Sequence, residues 1–123
     1  MISSVLSGHR SIDTTSARAR RRQALLAAEA KRLTDLLAAE GAQLVLAFGS
    51  YARGTVGPHS DLDLLVVLDT AEPFIARLTR LHELLRPMVA LDLVAYTPAE
   101  LNAIRHRPFI RQALDEGVVL HAA

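Results

Sequence analysis

The chain has 123 residues, of which 50% are hydrophobic and 22% are charged, so it is long enough for one domain with a buried core. Its net charge is +1, which creates no overall field that would favour nucleic acid or an anionic membrane. It contains no cysteine, which excludes disulfides and thiolate chemistry and fits a cytoplasmic protein. No apolar run approaches the ~20 residues that span a bilayer, and the N-terminus lacks an apolar segment of the secretory type.

The N-terminal third of the chain predicts one long helix. Residues 1–15 are rich in serine and threonine without a hydrophobic period, so we predict a flexible segment before a domain over residues 16–123. From Ser16 to Glu40, leucines recur at helical spacings, with Ser16 as the expected N-cap and Gly41 as the helix stop. Four arginines near the helix start form either a solvated face or a contact for phosphate groups: Arg18, Arg20, Arg21 and Arg22.

A buried strand followed by a glycine turn occupies the centre of the chain. Gln43 to Phe48 is a continuous apolar run, which is typical of a strand that is covered on both faces. Gly49 and Ser50 then open a short helix, where a glycine lets the backbone approach an anion and the free N–H groups point toward it. Arg53 lies about one turn further on. Alone, this is a weak signal for phosphate binding, because Gly-Ser turns commonly end strands.

Two aspartates open the next predicted strand, which runs from Asp61 to Leu68 directly after Ser60. Because side chains alternate along a strand, Asp61 and Asp63 should share one face. Two carboxylates at the head of an otherwise apolar strand are costly unless a cation lies between them. The alternative is an ordinary strand start with exposed acidic side chains.

A third carboxylate lies within another apolar segment. Met88 to Ala95 predicts a third strand with Asp92 in its middle, and a buried aspartate needs a partner. If this strand lies beside the second, Asp92 comes to the same face as Asp61 and Asp63. The pKa of each converging carboxyl group would then be raised unless metal ions neutralise the cluster, and hard oxygen ligands suit Mg²⁺ or Mn²⁺.

The second half of the chain supplies the remaining helices. An amphipathic pattern predicts a helix over residues 73–86, and a capping box with proline starts another over residues 97–105. A last helix over residues 108–116 is expected to bury Phe109, and an edge strand should follow over residues 118–120. The element order α-β-α-β-α-β-α-α-β predicts an α/β (α+β) fold, with a mixed sheet of about four strands and helices packed on it.

Three separated motifs together resemble the minimal nucleotidyltransferase (MNT) family of the DNA polymerase β nucleotidyltransferase superfamily. They are GSYARG at residues 49–54, SDLDLLV at residues 60–66 and the later strand aspartate, Asp92. These match that family's pattern of GSxARG, a short loop, SDxDLLV and a downstream aspartate. The resemblance runs from Leu44 to Val94 and implies a single nucleotidyltransferase domain.

The resemblance also implies a role for each matching residue. The predicted nucleotide-binding residues, which would hold the triphosphate, are Gly49, Ser50, Arg53 and Ser60. The predicted catalytic and metal-binding residues, which would hold two Mg²⁺ or Mn²⁺ ions, are Asp61, Asp63 and Asp92. Of these, Asp92 would also help to deprotonate the attacking hydroxyl.

The implied reaction moves a nucleoside monophosphate, with ATP as the expected donor, onto a hydroxyl of a protein or small-molecule acceptor and releases pyrophosphate. An alternative implied by the same resemblance is the antitoxin of a HEPN/MNT toxin–antitoxin pair, acting mainly by binding its HEPN-type partner. An aminoglycoside-type enzyme would need further sequence to enclose the sugar, and nucleic-acid polymerisation is disfavoured by the near-neutral charge. A homo-oligomer is compatible with either reading, and no membrane partner is expected.

Overall fold

The computed structural model describes the backbone of residues 2–123 and the side chains of residues 16–123. Over this part of the chain, helices and strands follow each other in the predicted order. The helices are α1 (Ile2–Ala39), α2 (Gly49–Arg53), α3 (Phe74–Leu85), α4 (Pro98–Ile104) and α5 (Pro108–Glu116). The strands are β1 (Leu44–Phe48), β2 (Leu62–Val67), β3 (Leu91–Tyr96) and β4 (Val118–Ala122).

The four strands form one mixed sheet in the order β3-β2-β1-β4, which confirms the predicted fold class. Strand β1 runs antiparallel to β2 and β4, while β2 and β3 run parallel. Therefore β2 and β3 begin at the same edge of the sheet, and β1 ends there, with Phe48 opposite Asp63. This topology brings the turn after β1 to the starts of β2 and β3.

Helices cover both faces of the sheet. On one face, Leu62 and Leu64 of β2 belong to a large apolar cluster with residues of α1 and α3. On the other face, Leu65 and Val67 belong to a smaller cluster with residues of α5. This alternation places Asp63 on the α5 side of the sheet, on the face shared with Leu65 and Val67 as predicted.

Helix α1 begins earlier than the sequence predicted. It already includes Ser16, so the prediction of an N-cap at that position is wrong. The sequence has no proline before Pro58, so no residue in this region forces a helix to break. The helix ends as predicted, because Gly41 follows it with a φ of 99°. The side chains of residues 1–15 lie outside the part of the chain that the structure describes, so the flexibility predicted for this segment stays a prediction.

Among the α1 side chains that the structure describes, those packed against the sheet lie in the C-terminal half of the helix. Leu25 is 46% exposed, although its leucine spacing suggested a place in the apolar stripe. The buried hydrophobic residues among the described side chains of α1 recur at helical spacing and are Leu26, Ala30, Leu33 and Leu37. None of the described helices is both long and apolar enough to cross a membrane.

Two side chains that were expected to be buried are exposed. Strand β3 begins at Leu91, so Asp92 is its second residue and is exposed, not buried in its middle. Phe109 is 56% exposed at the start of α5. Both predictions were wrong for the same reason: these residues lie beside an opening between α5 and the sheet edge, where no further element covers them.

Candidate active site

The turn after β1 requires glycine at position 49. Gly49 has a φ of 72°, which is unfavourable for residues with a side chain. A Cβ atom there would collide with Oδ2 of Asp63 and would lie 3.0 Å from its Cγ. The backbone of Gly49 and the carboxylate of Asp63 are therefore in direct contact, which no other residue at position 49 would permit without movement.

Two carboxylates meet beside this turn. Asp63 and Asp92 occupy paired positions on the parallel strands β2 and β3, and their carboxyl groups approach closely enough to share a hydrogen bond when one of them is protonated. Burial, together with this hydrogen bond and the negative charge of Asp92, raises the pKa of Asp63 to about 6. The charge of Asp61 acts in the same direction, while Arg53 opposes it. The register of β2 and β3 thus confirms the prediction that Asp92 lies beside Asp63.

A cavity of about 360 Å³ opens next to the carboxylate pair. One wall combines the sheet edge with α2 and contributes Phe48, Gly49, Arg53, Asp63 and Asp92. The other wall belongs to α5 and contributes Phe109, Gln112, Ala113 and Glu116. The volume of the cavity lies in the range of small-molecule sites, which is about 300–1,000 Å³.

Some predicted site residues lie outside the cavity lining. The hydroxyl of Ser60 accepts a hydrogen bond of 2.8 Å from the N–H of Gly57, and its carbonyl accepts one of 2.9 Å from Arg22. Ser60 therefore shapes the loop that leads into β2. Asp61 is exposed immediately before β2, and its charge still reaches Asp63. Ser50 is half-buried in α2, beside Gly49.

The donor set fits a divalent cation such as Mg²⁺. Asp63 and Asp92 offer hard oxygen atoms side by side. Burial, followed by the neighbouring Asp92, raises the pKa of Asp63, and a cation would stabilise the ionised form of this partly buried pair. No three histidine, aspartate or glutamate side chains among residues 16–123 converge on one point. Two carboxylates completed by water and by substrate phosphate oxygens are, however, the usual protein environment of Mg²⁺.

The cavity wall on α5 was missed by the sequence interpretation. Phe109, Gln112 and Glu116 lie three, four and seven positions apart, so they form one stripe of the helix. That stripe was visible in the sequence as a polar and aromatic face. Its significance was not, because the sequence does not say where α5 docks on the sheet.

A mixed sheet with a glycine turn against two carboxylates on adjacent strands agrees with the nucleotidyltransferase class that the sequence motifs predicted. The nucleotidyltransferase domain family matches residues 30–120, and the chain belongs to this family. The resemblance to nucleotidyltransferases inferred from the sequence is therefore confirmed.

Three known proteins illustrate the relationship. A Methanocaldococcus jannaschii protein assigned as a protein adenylyltransferase is 35% identical over 78 residues, which is 63% of this chain and 76% of that protein. A Sulfolobus solfataricus structure assigned as a nucleotidyltransferase shares the fold, with a TM-score of 0.63 and 20% identity over 85% of this chain and 87% of that chain. A chain in the crystal structure of a toxin–antitoxin with AMP-PNP has a TM-score of 0.52 and 26% identity, over 76% of this chain and 73% of that chain.

Proposed function

We propose that this nucleotidyltransferase transfers AMP from ATP to a hydroxyl group of an acceptor, using two divalent cations such as Mg²⁺ or Mn²⁺. The observation that carries the proposal is the contact of the Gly49 backbone with the carboxylate of Asp63, which is itself paired with Asp92. A backbone that can approach a phosphate lies there against acidic oxygens that can hold a cation. Neither feature alone would indicate nucleotide chemistry.

The triphosphate would lie along the turn and the start of α2. Gly49 and Ser50 would hold its terminal phosphates through backbone N–H groups and the serine hydroxyl, and Arg53 would contribute positive charge from the cavity wall. Ser60 would act by shaping the loop before Asp61. The contacts of Ser60 support this role, because its hydroxyl accepts the N–H of Gly57 and its carbonyl accepts the guanidinium of Arg22.

The carboxylates would hold the cations and receive the proton. Asp61 and Asp63 would ligate both ions, and Asp92 would ligate one ion and accept the proton of the acceptor hydroxyl. The cations supply charge neutralisation on the phosphates and a lowered pKa of that hydroxyl. The hydroxyl oxygen forms a bond to the α-phosphorus, the bond to the β-phosphate oxygen breaks in line, and pyrophosphate leaves.

The acceptor is proposed to be a protein. The Methanocaldococcus jannaschii relative is assigned as a protein adenylyltransferase, and the cavity here is open on one side. A protein surface can close such a site by docking over it. The cytoplasmic location remains a prediction from the cysteine-free composition.

A second candidate function is that of an antitoxin which acts by binding a HEPN-type toxin. The likeness to a chain of a toxin–antitoxin structure with AMP-PNP favours it. The two functions are compatible, because a toxin could be both the binding partner and the acceptor of AMP. AMP transfer and simple toxin binding can be distinguished by testing whether neutralisation of the toxin requires the carboxylates.

The first test is a calorimetric titration of ATP into the protein, with Mg²⁺ and with EDTA. We expect Mg²⁺-dependent binding by the unmodified protein and at least about tenfold weaker binding by Asp61→Asn and Asp63→Asn, because each loses one charged ligand. Asp63→Asn should also abolish AMP transfer to any acceptor found with labelled ATP. Its fold should persist, since the change relieves a crowded acidic pair.

Asp69→Asn is the matched control, because Asp69 is an exposed aspartate beyond the opposite end of β2. It removes the same charge and should bind ATP like the unmodified protein. Equal Mg²⁺-dependent ATP affinity in Asp63→Asn and Asp69→Asn would contradict the proposed function.

A further inference from the structure

Helix α5 presents two chemically different faces. Ile110 and Ala113 are buried against the sheet and anchor the helix. Phe109, Gln112 and Glu116 are exposed and line the cavity opposite the carboxylate pair. The exposed side chains of the wall that faces the carboxylate pair are thus one aromatic ring, one amide and one carboxylate.

The ring of Phe109 is both accessible and fixed in orientation. Its side chain is 56% exposed, so a large part of the ring is open to the cavity. At the same time Phe48 meets it in an edge-to-face contact, with ring centroids 5.5 Å apart and an interplanar angle of 87°. An exposed aromatic ring held by a neighbour is a ready platform for stacking with a flat ligand group.

The carboxylate of Glu116 restricts which part of a nucleotide can lie beside it. A triphosphate carries several negative charges, and an acidic side chain next to it would be repelled. Glu116 can instead accept hydrogen bonds from hydroxyl or amino groups. Gln112 donates only a long hydrogen bond of 3.4 Å to Glu116, and both side chains are exposed, so a ligand can replace this contact at little cost.

We propose that the exposed face of α5 binds the nucleoside half of the substrate. The base stacks on Phe109, while Gln112 and Glu116 hydrogen-bond to the hydroxyl or amino groups of the nucleoside. The phosphates then extend toward Gly49 and the carboxylate pair on the other wall. This inference rests on the proposed function. It assigns a binding surface to the nucleoside, for which the glycine turn and the carboxylate pair provide none.

The test compares two ligands that differ only in the nucleoside. Binding of ATP and of inorganic tripolyphosphate is measured in Mg²⁺ for the unmodified protein, Phe109→Ala, Phe109→Leu and Glu116→Ala. We expect Phe109→Ala and Phe109→Leu to weaken ATP binding roughly tenfold or more, because base–aromatic stacking is lost. Tripolyphosphate affinity should stay within about twofold in both variants, since it has no base to stack.

Glu116→Ala gives a second, independent readout. It should lower the ratio of ATP affinity to tripolyphosphate affinity, because removing the acid relieves repulsion of both ligands but removes hydrogen bonds from ATP alone. Phe109→Leu keeps an apolar contact with Phe48 and so preserves the fold if the alanine variant does not. Ile75→Ala is the control, since Ile75 is 71% exposed on α3, which packs with the other apolar cluster.

Two outcomes would overturn the inference while leaving the proposed function intact. One is Mg²⁺-dependent ATP binding that is the same in Phe109→Leu and Ile75→Ala, which would assign the α5 face to the acceptor or to no ligand. The other is an equal loss of ATP and tripolyphosphate affinity in Phe109→Leu, which would mean that the ring supports the phosphate site. Failure of the unmodified protein to bind either ligand in Mg²⁺ would overturn the proposed function as well.

Discussion

Gly49 and Gly54 show how the same backbone conformation serves two purposes at the residue scale. Both have a φ of 72°, which favours glycine over residues with a side chain. Around Gly54, a Cβ atom would meet nothing within 4 Å, so this glycine only ends α2. Around Gly49 the same atom would strike the carboxylate of Asp63. The glycine of the turn is therefore needed for space as well as for conformation.

We predict that Gly49→Ala and Gly54→Ala each lower the free energy of unfolding by about 1–2 kcal/mol, because each forces alanine into the left-handed region. Only Gly49→Ala should also abolish Mg²⁺-dependent ATP binding, because its methyl group displaces Asp63. Urea denaturation and calorimetry measure the two effects. Normal ATP binding by Gly49→Ala would show that the contact with Asp63 has no role in the site.

At the scale of elements, one buried arginine joins α3 to β3 and α4. Arg77 of α3 is 1% exposed. Its guanidinium donates hydrogen bonds of 2.8 Å to the carbonyl of Ala95 and 2.6 Å to the carboxylate of Glu100. Glu100 also accepts the N–H of Thr97 at 2.8 Å and so closes the capping box of α4. The capping box predicted from the sequence thus belongs to a larger hydrogen-bond network that includes a buried arginine.

We predict that Glu100→Gln destabilises the protein by about 1–2 kcal/mol. Glutamine can still cap α4, but it leaves the buried guanidinium of Arg77 without its counter-charge; the partial exposure of Glu100 limits the loss. The control is Asp35→Asn, which removes an exposed ion pair with Lys31. That change should cost less than about 0.5 kcal/mol in urea denaturation. Equal effects of the two variants would contradict the proposed importance of the Arg77 network.

At the scale of the whole molecule, two acidic groups give stability opposite dependences on pH. Hydrogen bonds from Arg77 and from the N–H of Thr97 lower the pKa of Glu100 to about 2. Its contribution to stability is therefore complete above the ordinary glutamate pKa of 4.5 and is lost as the pH falls toward 2. Asp63 behaves in the opposite way, because its pKa rises from 3.8 to about 6. Its contribution is present below pH 3.8 and is lost as the pH rises to about 6.

We predict that the metal-free protein is less stable than Asp63→Asn above pH 7 and about equally stable near pH 4, where Asp63 is neutral. A pKa change of one unit corresponds to about 1.4 kcal/mol, and solvent in the open cavity reduces the effect, so the difference should be about 1–2 kcal/mol. Thermal unfolding in EDTA from pH 4 to 8 measures it. A variant that is less stable than the unmodified protein at pH 8 would show that the carboxylate pair is not strained without metal.

Addition of Mg²⁺ at pH 8 should raise the unfolding temperature of the unmodified protein and leave that of Asp63→Asn unchanged, which links the strain to a cation site. In that case the site would be stable only when a cation is bound. A modest loss of stability at the carboxylates would then accompany the charge density that we propose holds the cations.

Much of the site could be predicted from the sequence because its signals are local. The glycine turn after an apolar run, the alternation that places Asp63 on the face of Leu65, and the proline-containing capping box all depend on residues a few positions apart. The errors arose where a neighbour distant in sequence decides exposure. Asp92 and Phe109 have apolar neighbours in the sequence, yet both lie beside the open cavity.

The sequence by itself determined the elements, their order and the motifs of a nucleotidyltransferase, because periodicity, caps and glycine turns act over short stretches of chain. Only the tertiary structure decided the strand order β3-β2-β1-β4, the pairing of Asp63 with Asp92 and the position of α5 across the cavity. These depend on which apolar faces pack together, and that choice is made by contacts between distant segments. The sequence predicted that Asp92 would lie beside Asp63 if their two strands were adjacent. It did not predict the aromatic wall of α5 opposite this pair.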